Sequence, residues 1–196
     1  MITPETSALL LLAAGHSERF GPGDKLAENF LGQPLGFHVV TALEAIPFHT
    51  RVAVVDGGTL DYARRGFEIV HNETERATLA SSVALGVRTM RRDGIEGVVI
   101  AFADMPRVTA AQVYRLFDAE HGPETVVASS DGTHPKPPGL FGGAHFDLLA
   151  ELTGEDALRP LILSGRHVVT NPTELVDINT PDDLAALRAK YARRKP

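Results

Sequence analysis

The sequence predicts an α/β fold in which a mostly parallel sheet is covered by helices on both faces. Three observations carry this. Short apolar runs alternate with helix-like stretches along the whole chain, several runs stop abruptly at glycine or at oxygen-bearing side chains, and 43% of the 196 residues are apolar. That alternation is the pattern of a parallel sheet built from crossover units, and the chain length suits one sizeable core. We expect a single domain over residues 1–196, with 191–196 as a frayed tail.

The strands are expected at residues 9–12, 51–55, 68–70, 97–102, 125–128, 167–169 and 175–178. Near-continuous apolar runs of this length fit strands buried on both faces. Helices are expected near 35–45, 60–65, 79–92, 110–119, 144–152, 156–164 and 181–191. Thr109 is placed to cap one of them, and Thr180 followed by Pro181 and two acids opens the last. Residues 131–139, with three prolines and two glycines, are too rich in helix breakers for a helix and read as a functional loop. In a sheet of this kind ligands bind outside the carboxyl ends of the strands. The loops after Leu12, Val55, Phe102 and Ile178 should therefore converge on one cleft.

Composition removes several function classes. A net charge of −6, with no basic run outside Arg193-Arg194-Lys195, argues against nucleic acid as partner. The absence of cysteine excludes disulfides, thiolate metal sites and cysteine nucleophiles. No apolar run reaches membrane length, and residues 1–6 lack the pattern of a signal peptide, so a cytoplasmic protein without membrane contact is expected.

The first chemical motif follows the first strand. Leu12-Ala13-Ala14-Gly15-His16-Ser17-Glu18-Arg19-Phe20-Gly21 leads to Asp24-Lys25. Small residues let a ligand approach the backbone, successive amides make an anion-binding concavity, and Arg19 and Lys25 add positive charge. The loop lacks the spellings of a dinucleotide fingerprint, a Walker A loop and a hydrolase elbow. A triphosphate holder of another type remains. The second motif is Asp104, a lone carboxylate where the strand at 97–102 enters the cleft, before Met105-Pro106. A hard oxygen ligand there suits Mg²⁺, which binds through one or two carboxylates plus substrate phosphates. The third is Asp177-Ile178-Asn179, where alternation places Asp177 and Asn179 on one side. Either completes a metal site, and Asn179 is favoured because it lies nearer the loop.

Together these motifs, with Ala80-Ser81-Ser82 and Gly86, Pro138-Gly139-Leu140-Phe141, and Thr180-Pro181 with Asp183-Leu184, resemble the molybdopterin nucleotidyltransferases. Within them the chain looks more like the molybdenum cofactor cytidylyltransferases than the guanylyltransferases. The resemblance covers nearly the whole chain. It implies a three-layer Rossmann-like nucleotidyltransferase fold, Mg²⁺, a nucleoside triphosphate and a molybdopterin-type phosphorylated acceptor, with a molybdenum enzyme as a further partner. Arg19 and Lys25 then serve the triphosphate, Asp104 serves catalysis and metal, and Ala13, Ala14, Gly15, His16 and Ser17 cradle the phosphates. By the same resemblance Ser81 and Ser82 lie beside the base and acceptor, Asp56 serves to select the base, and Lys136 and Pro138 lie beside the acceptor.

The cytidine preference rests on Ala13-Ala14-Gly15, since relatives using guanosine read Ala-Gly-Gly at these positions. The acceptor loop reads Lys136-Pro137-Pro138-Gly139, where the family has Gly-His-Pro or Gly-Asn-Pro. Alternatives are a guanosine triphosphate-dependent transferase, a transferase for a sugar or polyol phosphate, and a non-catalytic protein that delivers cofactor to a molybdenum enzyme.

Overall fold

The computed structural model describes residues 1–14, 18–21, 23–74, 77–154 and 158–192. Its first strand, β1 (Ser7–Ala13), is buried at every residue. Leu9, Leu11 and Ala13 belong to one core cluster, while Ala8, Leu10 and Leu12 belong to another. A strand that buries both faces needs helices on both, and that requirement fixes the three-layer arrangement.

After β1 the chain forms a small hairpin of β2 (Asn29–Phe30) and β3 (Gln33–Pro34), then α1 (Phe37–Leu43), β4 (Thr50–Val55) and β5 (Glu68–His71). Next come α2 (Leu79–Met90), β6 (Gly97–Phe102), α3 (Ala110–Asp118), β7 (Val126–Ser130) and β8 (Pro135–Gly142). The chain ends with α4 (Phe146–Ala150), α5 (Arg159–Ser164), β9 (Arg166–Val169) and α6 (Pro181–Ala192). The large sheet runs in the order β5-β4-β1-β6-β8-β7-β9, and all its pairings are parallel except those of β8. Helices α1 and α3 supply Val39, Leu43, Val113 and Leu116 to one face, and α2 and α4 supply Val83, Val87 and Leu149 to the other. Gly86 on α2 allows that helix to lie close on β1, since a Cβ there would stand 2.2 Å from Leu10 Cδ1. Thr109 caps α3 as expected, accepting from Gln112 N at 3.2 Å.

Several expectations are corrected. Residues 175–178 are not a strand: a 3₁₀ turn, Pro172–Leu175, precedes an extended segment that joins no ladder and gives its Ile178 amide to Asp104 O at 3.0 Å. The predicted helix at 60–65 shrinks to a 3₁₀ turn, Ala63–Arg65, stopped by Gly66 in a left-handed conformation. A segment that short has too few internal hydrogen bonds to propagate a helix. The segment read as a loop at 131–139 enters strand β8 at Pro135, with a cis Pro137–Pro138 bond. Its prolines are accommodated because the pairing with β7 jumps from Ala128↔Gly139 to Ser129↔Lys136, leaving Pro137 and Pro138 unpaired in a bulge. Ser129 then donates its hydroxyl to Pro138 O at 2.8 Å. The β2–β3 hairpin was not foreseen, being only two residues per strand. The expected tail falls mostly outside the described residues, α6 running to Ala192. Among the described residues no helix is long and apolar enough to cross a membrane.

A third core cluster, Phe30, Leu35, Ile178, Leu184 and Leu187, pins the hairpin and α6 together. Because Ile178 is fully buried in it, the polar residues on either side are held at the carboxyl edge of the sheet.

Candidate nucleotide and metal site

A cleft of about 480 Å³ opens at the carboxyl ends of β1 and β6. Its lining includes Ala13, Ala14, Arg19, Lys25, Ser82, Phe102, Asp104 and Asn179, so the first and second motifs and one residue of the third do meet in one place. Gly15, His16 and Ser17 lie outside the described residues.

Lys25 is the joint between the motifs. It opens a 3₁₀ turn, Lys25–Ala27, whose start is capped by Asp24, the Oδ1 of which accepts from Leu26 N at 3.0 Å. The other oxygen of Asp24 accepts from Thr59 N and Thr59 Oγ1, both at 3.1 Å, which ties the turn to the loop after β4. Lys25 Nζ then reaches Asp104 Oδ2 at 2.7 Å and Ile178 O at 3.0 Å. Arg19 lies in the 3₁₀ turn Glu18–Phe20 and is exposed on the cleft wall.

Asp104 follows β6, held there because Ala103 N donates to Leu12 O at 3.0 Å and Asp104 O accepts from Ile178 N. Burial pushes its carboxyl up from the usual carboxylate range, and the charge of Asp177 pushes the same way, against the pull of Lys25. Its Oδ1 is buried and has no hydrogen-bond partner among the described residues. An orphaned carboxylate oxygen on a residue that lines a cleft is a place for a cation, since leaving it unpaired is costly. Tyr62 senses the same negative field: burial, then Asp24 and Asp104, hold its phenol well above the ordinary range.

Asp177 and Asn179 do share a side, as the alternation expected. Asn179 Nδ2 donates to Asp177 Oδ2, and Asp177 Oδ1 also pairs with Lys136 Nζ at 3.6 Å. Asn179 lines the cleft, whereas Asp177 does not and is 43% exposed. Two carboxylates and an amide match what a Mg²⁺-type ion asks of a protein when phosphates supply the remaining oxygens. Among the described residues no group of three or more His, Asp or Glu side chains could hold a metal by itself. Asp183 behaves as a helix-start residue: its Oδ2 accepts from Asn179 N at 3.0 Å and Thr180 N at 2.8 Å, and its own amide donates to Thr180 Oγ1 at 3.1 Å. The Thr180 hydroxyl first, and then the Asn179 amide, hold its carboxyl below the usual range.

The two serines divide. Ser82 faces the cleft and is buried, but Ser81 is used to build the start of α2, exchanging bonds with Thr78 in a capping box. Asn72, just past β5, was missed by the sequence reading. It is buried and donates to Ser81 Oγ at 2.9 Å and Ser82 Oγ at 3.0 Å, setting both hydroxyls. Nothing distinguishes it in sequence from an ordinary strand-end asparagine. Asn72→Ala should lower stability in urea by about 2 kcal/mol, because the buried hydroxyl of Ser82 and the half-buried one of Ser81 both lose a donor. Asp56 follows β4 but does not line the cleft, and Pro138 is buried in β8 away from it. Lys136 reaches the site only through Asp177.

A second cavity of about 220 Å³ adjoins the first and shares Leu79 and Phe102 with it. Pro135, Pro137, Leu158, Ile162 and Leu163 make it largely apolar, and His134 and Arg159 supply its polar groups.

The chain that carries this carboxylate and lysine has relatives. The family model of the MobA-like NTP transferase domain matches residues 9–169. The chain belongs to that family. It is 29% identical to a molybdenum cofactor guanylyltransferase of Cereibacter sphaeroides, over 95% of this chain and 96% of that protein. It is 28% identical to the purine catabolism protein PucB of Bacillus subtilis (strain 168), over 91% and 94% respectively. The crystal structure of a homolog of Mycobacterium tuberculosis rv0371c from Mycobacterium sp. strain JC1 has the same fold, with a TM-score of 0.80 at 23% identity over 97% of this chain and 99% of that one. The expected nucleotidyltransferase fold and family are thus both found.

Proposed function

We propose that the protein transfers a nucleoside monophosphate from a triphosphate, GTP first among them, to the phosphate monoester of a molybdopterin-type acceptor. One acceptor oxygen attacks the α-phosphorus, the bond from that phosphorus to the bridging oxygen breaks, and pyrophosphate leaves with its electron pair. No side-chain nucleophile is needed, in keeping with a chain that has no cysteine. The observation that carries the reading is Asp104: a carboxylate with one oxygen on Lys25 and the other buried and unpaired at the cleft.

A divalent cation, Mg²⁺ or Mn²⁺, would be held by Asp104 with Asn179 or Asp177. When bound it neutralises phosphate charge and lowers the repulsion between attacking and leaving groups. The rest of the work belongs to this chain's side chains. Lys25, pre-oriented by Asp104 and Ile178 O, is a compact charge for the α-phosphate. Arg19 offers a planar fork for the β- and γ-phosphate oxygens. Ser82, fixed by Asn72, offers a hydroxyl at the opposite wall. The apolar cavity next to the cleft supports an acceptor with a largely apolar or flat body over a sugar or polyol, whose hydroxyls would find few partners there.

GTP takes first place because the guanylyltransferase of C. sphaeroides is similar along almost its entire length. The cytidine reading keeps one observation, Ala14 on the cleft wall where relatives using guanosine carry glycine. A single experiment separates them: Mg²⁺ or Mn²⁺, molybdopterin and each nucleoside triphosphate in turn, followed by pyrophosphate release. Turnover with GTP is the expected result, and turnover with CTP alone reassigns the base. No release with any triphosphate overturns catalysis on this acceptor and leaves the cofactor-delivery reading.

A further inference from the structure

We propose that Lys136 is the cation for the acceptor's anionic group, and that in the free protein it is parked on Asp177, so that acceptor binding releases Asp177 to the metal site. This rests on the transfer reading above. Two carboxylates near the cleft are each paired with one lysine: Asp104 with Lys25 at 2.7 Å, and Asp177 with Lys136 at 3.6 Å. The two pairs differ in kind. Lys25 is 11% exposed and makes a second bond to Ile178 O, whereas Lys136 and Asp177 are 38% and 43% exposed and their contact is longer than a hydrogen bond. A half-exposed pair at this distance is weak and separates at little cost.

Position supports the same division of labour. Lys25 opens the turn Lys25–Ala27 and lines the nucleotide cleft. Lys136 comes from β8, between Pro135 and Pro137, which line the apolar cavity. Its partner Asp177 is bonded to Asn179, which lines the nucleotide cleft. An anion arriving from the side of the apolar cavity competes with Asp177 for Lys136. Asp177, once released, is free to join its hydrogen-bond partner Asn179 at the metal site. Lys136 is therefore a positioning residue for the metal and a binding residue for the acceptor.

The test is Mn²⁺ binding to the full-length protein, without nucleotide, followed by electron paramagnetic resonance. K136M should bind Mn²⁺ about three-fold more tightly than wild type, the scale of an exposed ion pair. In a D177N background the same change should have no effect, and K136R should restore wild-type affinity. A gain that persists with D177N would be through-space charge alone and would overturn the lock, as would no gain in K136M. In turnover, K136M should raise KM for the acceptor more than KM for the triphosphate; the opposite split overturns the acceptor role. The Mn²⁺ measurement uses neither substrate, so failure of nucleotidyl transfer with every triphosphate would leave its result standing.

Discussion

Asp104→Asn should reduce nucleotidyl transfer by roughly a thousandfold, the scale of losing a group that acts on transition-state charge, while the protein remains folded by circular dichroism. The substitution keeps the shape and one acceptor oxygen but removes the charge from both Lys25 and the cation position. Wild-type turnover in this variant would sink the metal assignment. Stability and pH add a second reading of the same residue. The Asp104 carboxyl is raised in the folded protein, by burial first and then by Asp177. A folded-state acid whose proton affinity exceeds its unfolded value binds more protons when folded, so stability falls as pH rises through the raised value. Metal-free wild type should therefore lose part of its stability as pH climbs above the ordinary carboxylate range, and Asp104→Asn should flatten that slope. Urea midpoints across this range check the sign. An unchanged slope would mean that Asp104 is not the group whose proton is taken up on folding.

Asp104 was legible in sequence because an apolar run, Val98 to Phe102, fixes where the strand ends, and the sheet architecture fixes where strand ends point. The same logic found Lys25 and Asn179. It found Asp177 on the same side as Asn179 for a reason that survived the loss of the strand itself: extended backbone alternates whether or not it joins a ladder. What escaped was everything set by contacts distant in sequence. Asn72 governs Ser81 and Ser82 from the end of another strand, Asp24 spends its second oxygen on Thr59, and Lys136 touches the site only through Asp177. The base preference rested on Ala14 and its neighbour Gly15, one of which lies outside the described residues. The segment after Asp131 was misjudged because its prolines and glycines exclude a helix, and two adjacent prolines, lacking amide donors, give no sign of a strand either. The bulge opposite Ala128 and Ser129 removes that objection by leaving them unpaired.

The strand hidden by those prolines is where the largest stability effect is expected. Gly142→Ala should lower the unfolding free energy by about 3 kcal/mol, at the upper end of overpacking costs. Gly142 closes β8, pairs with Gly97 of β6 and donates its amide to Thr125 O at 2.8 Å. An added Cβ would stand 2.2 Å from Pro123 O, 2.7 Å from Pro123 C and 3.1 Å from Gly122 O. All three are backbone atoms, so no side chain can turn aside to relieve the clash. The φ of −76° at Gly142 suits alanine, so backbone strain at the residue itself is not the cause. Gly23→Ala is the control: a Cβ there meets nothing within 4 Å, and loss of unfolded-chain freedom should make it neutral or slightly stabilising. Equal urea midpoints for the two variants would show that the Gly122–Pro123 turn yields without cost. If Gly142→Ala is destabilised as expected, the shift enters through β8, the strand that carries Lys136. Its effect on acceptor KM should then exceed its effect on triphosphate KM, because Lys25 and Arg19 are held by the loop after β1 and not by β8.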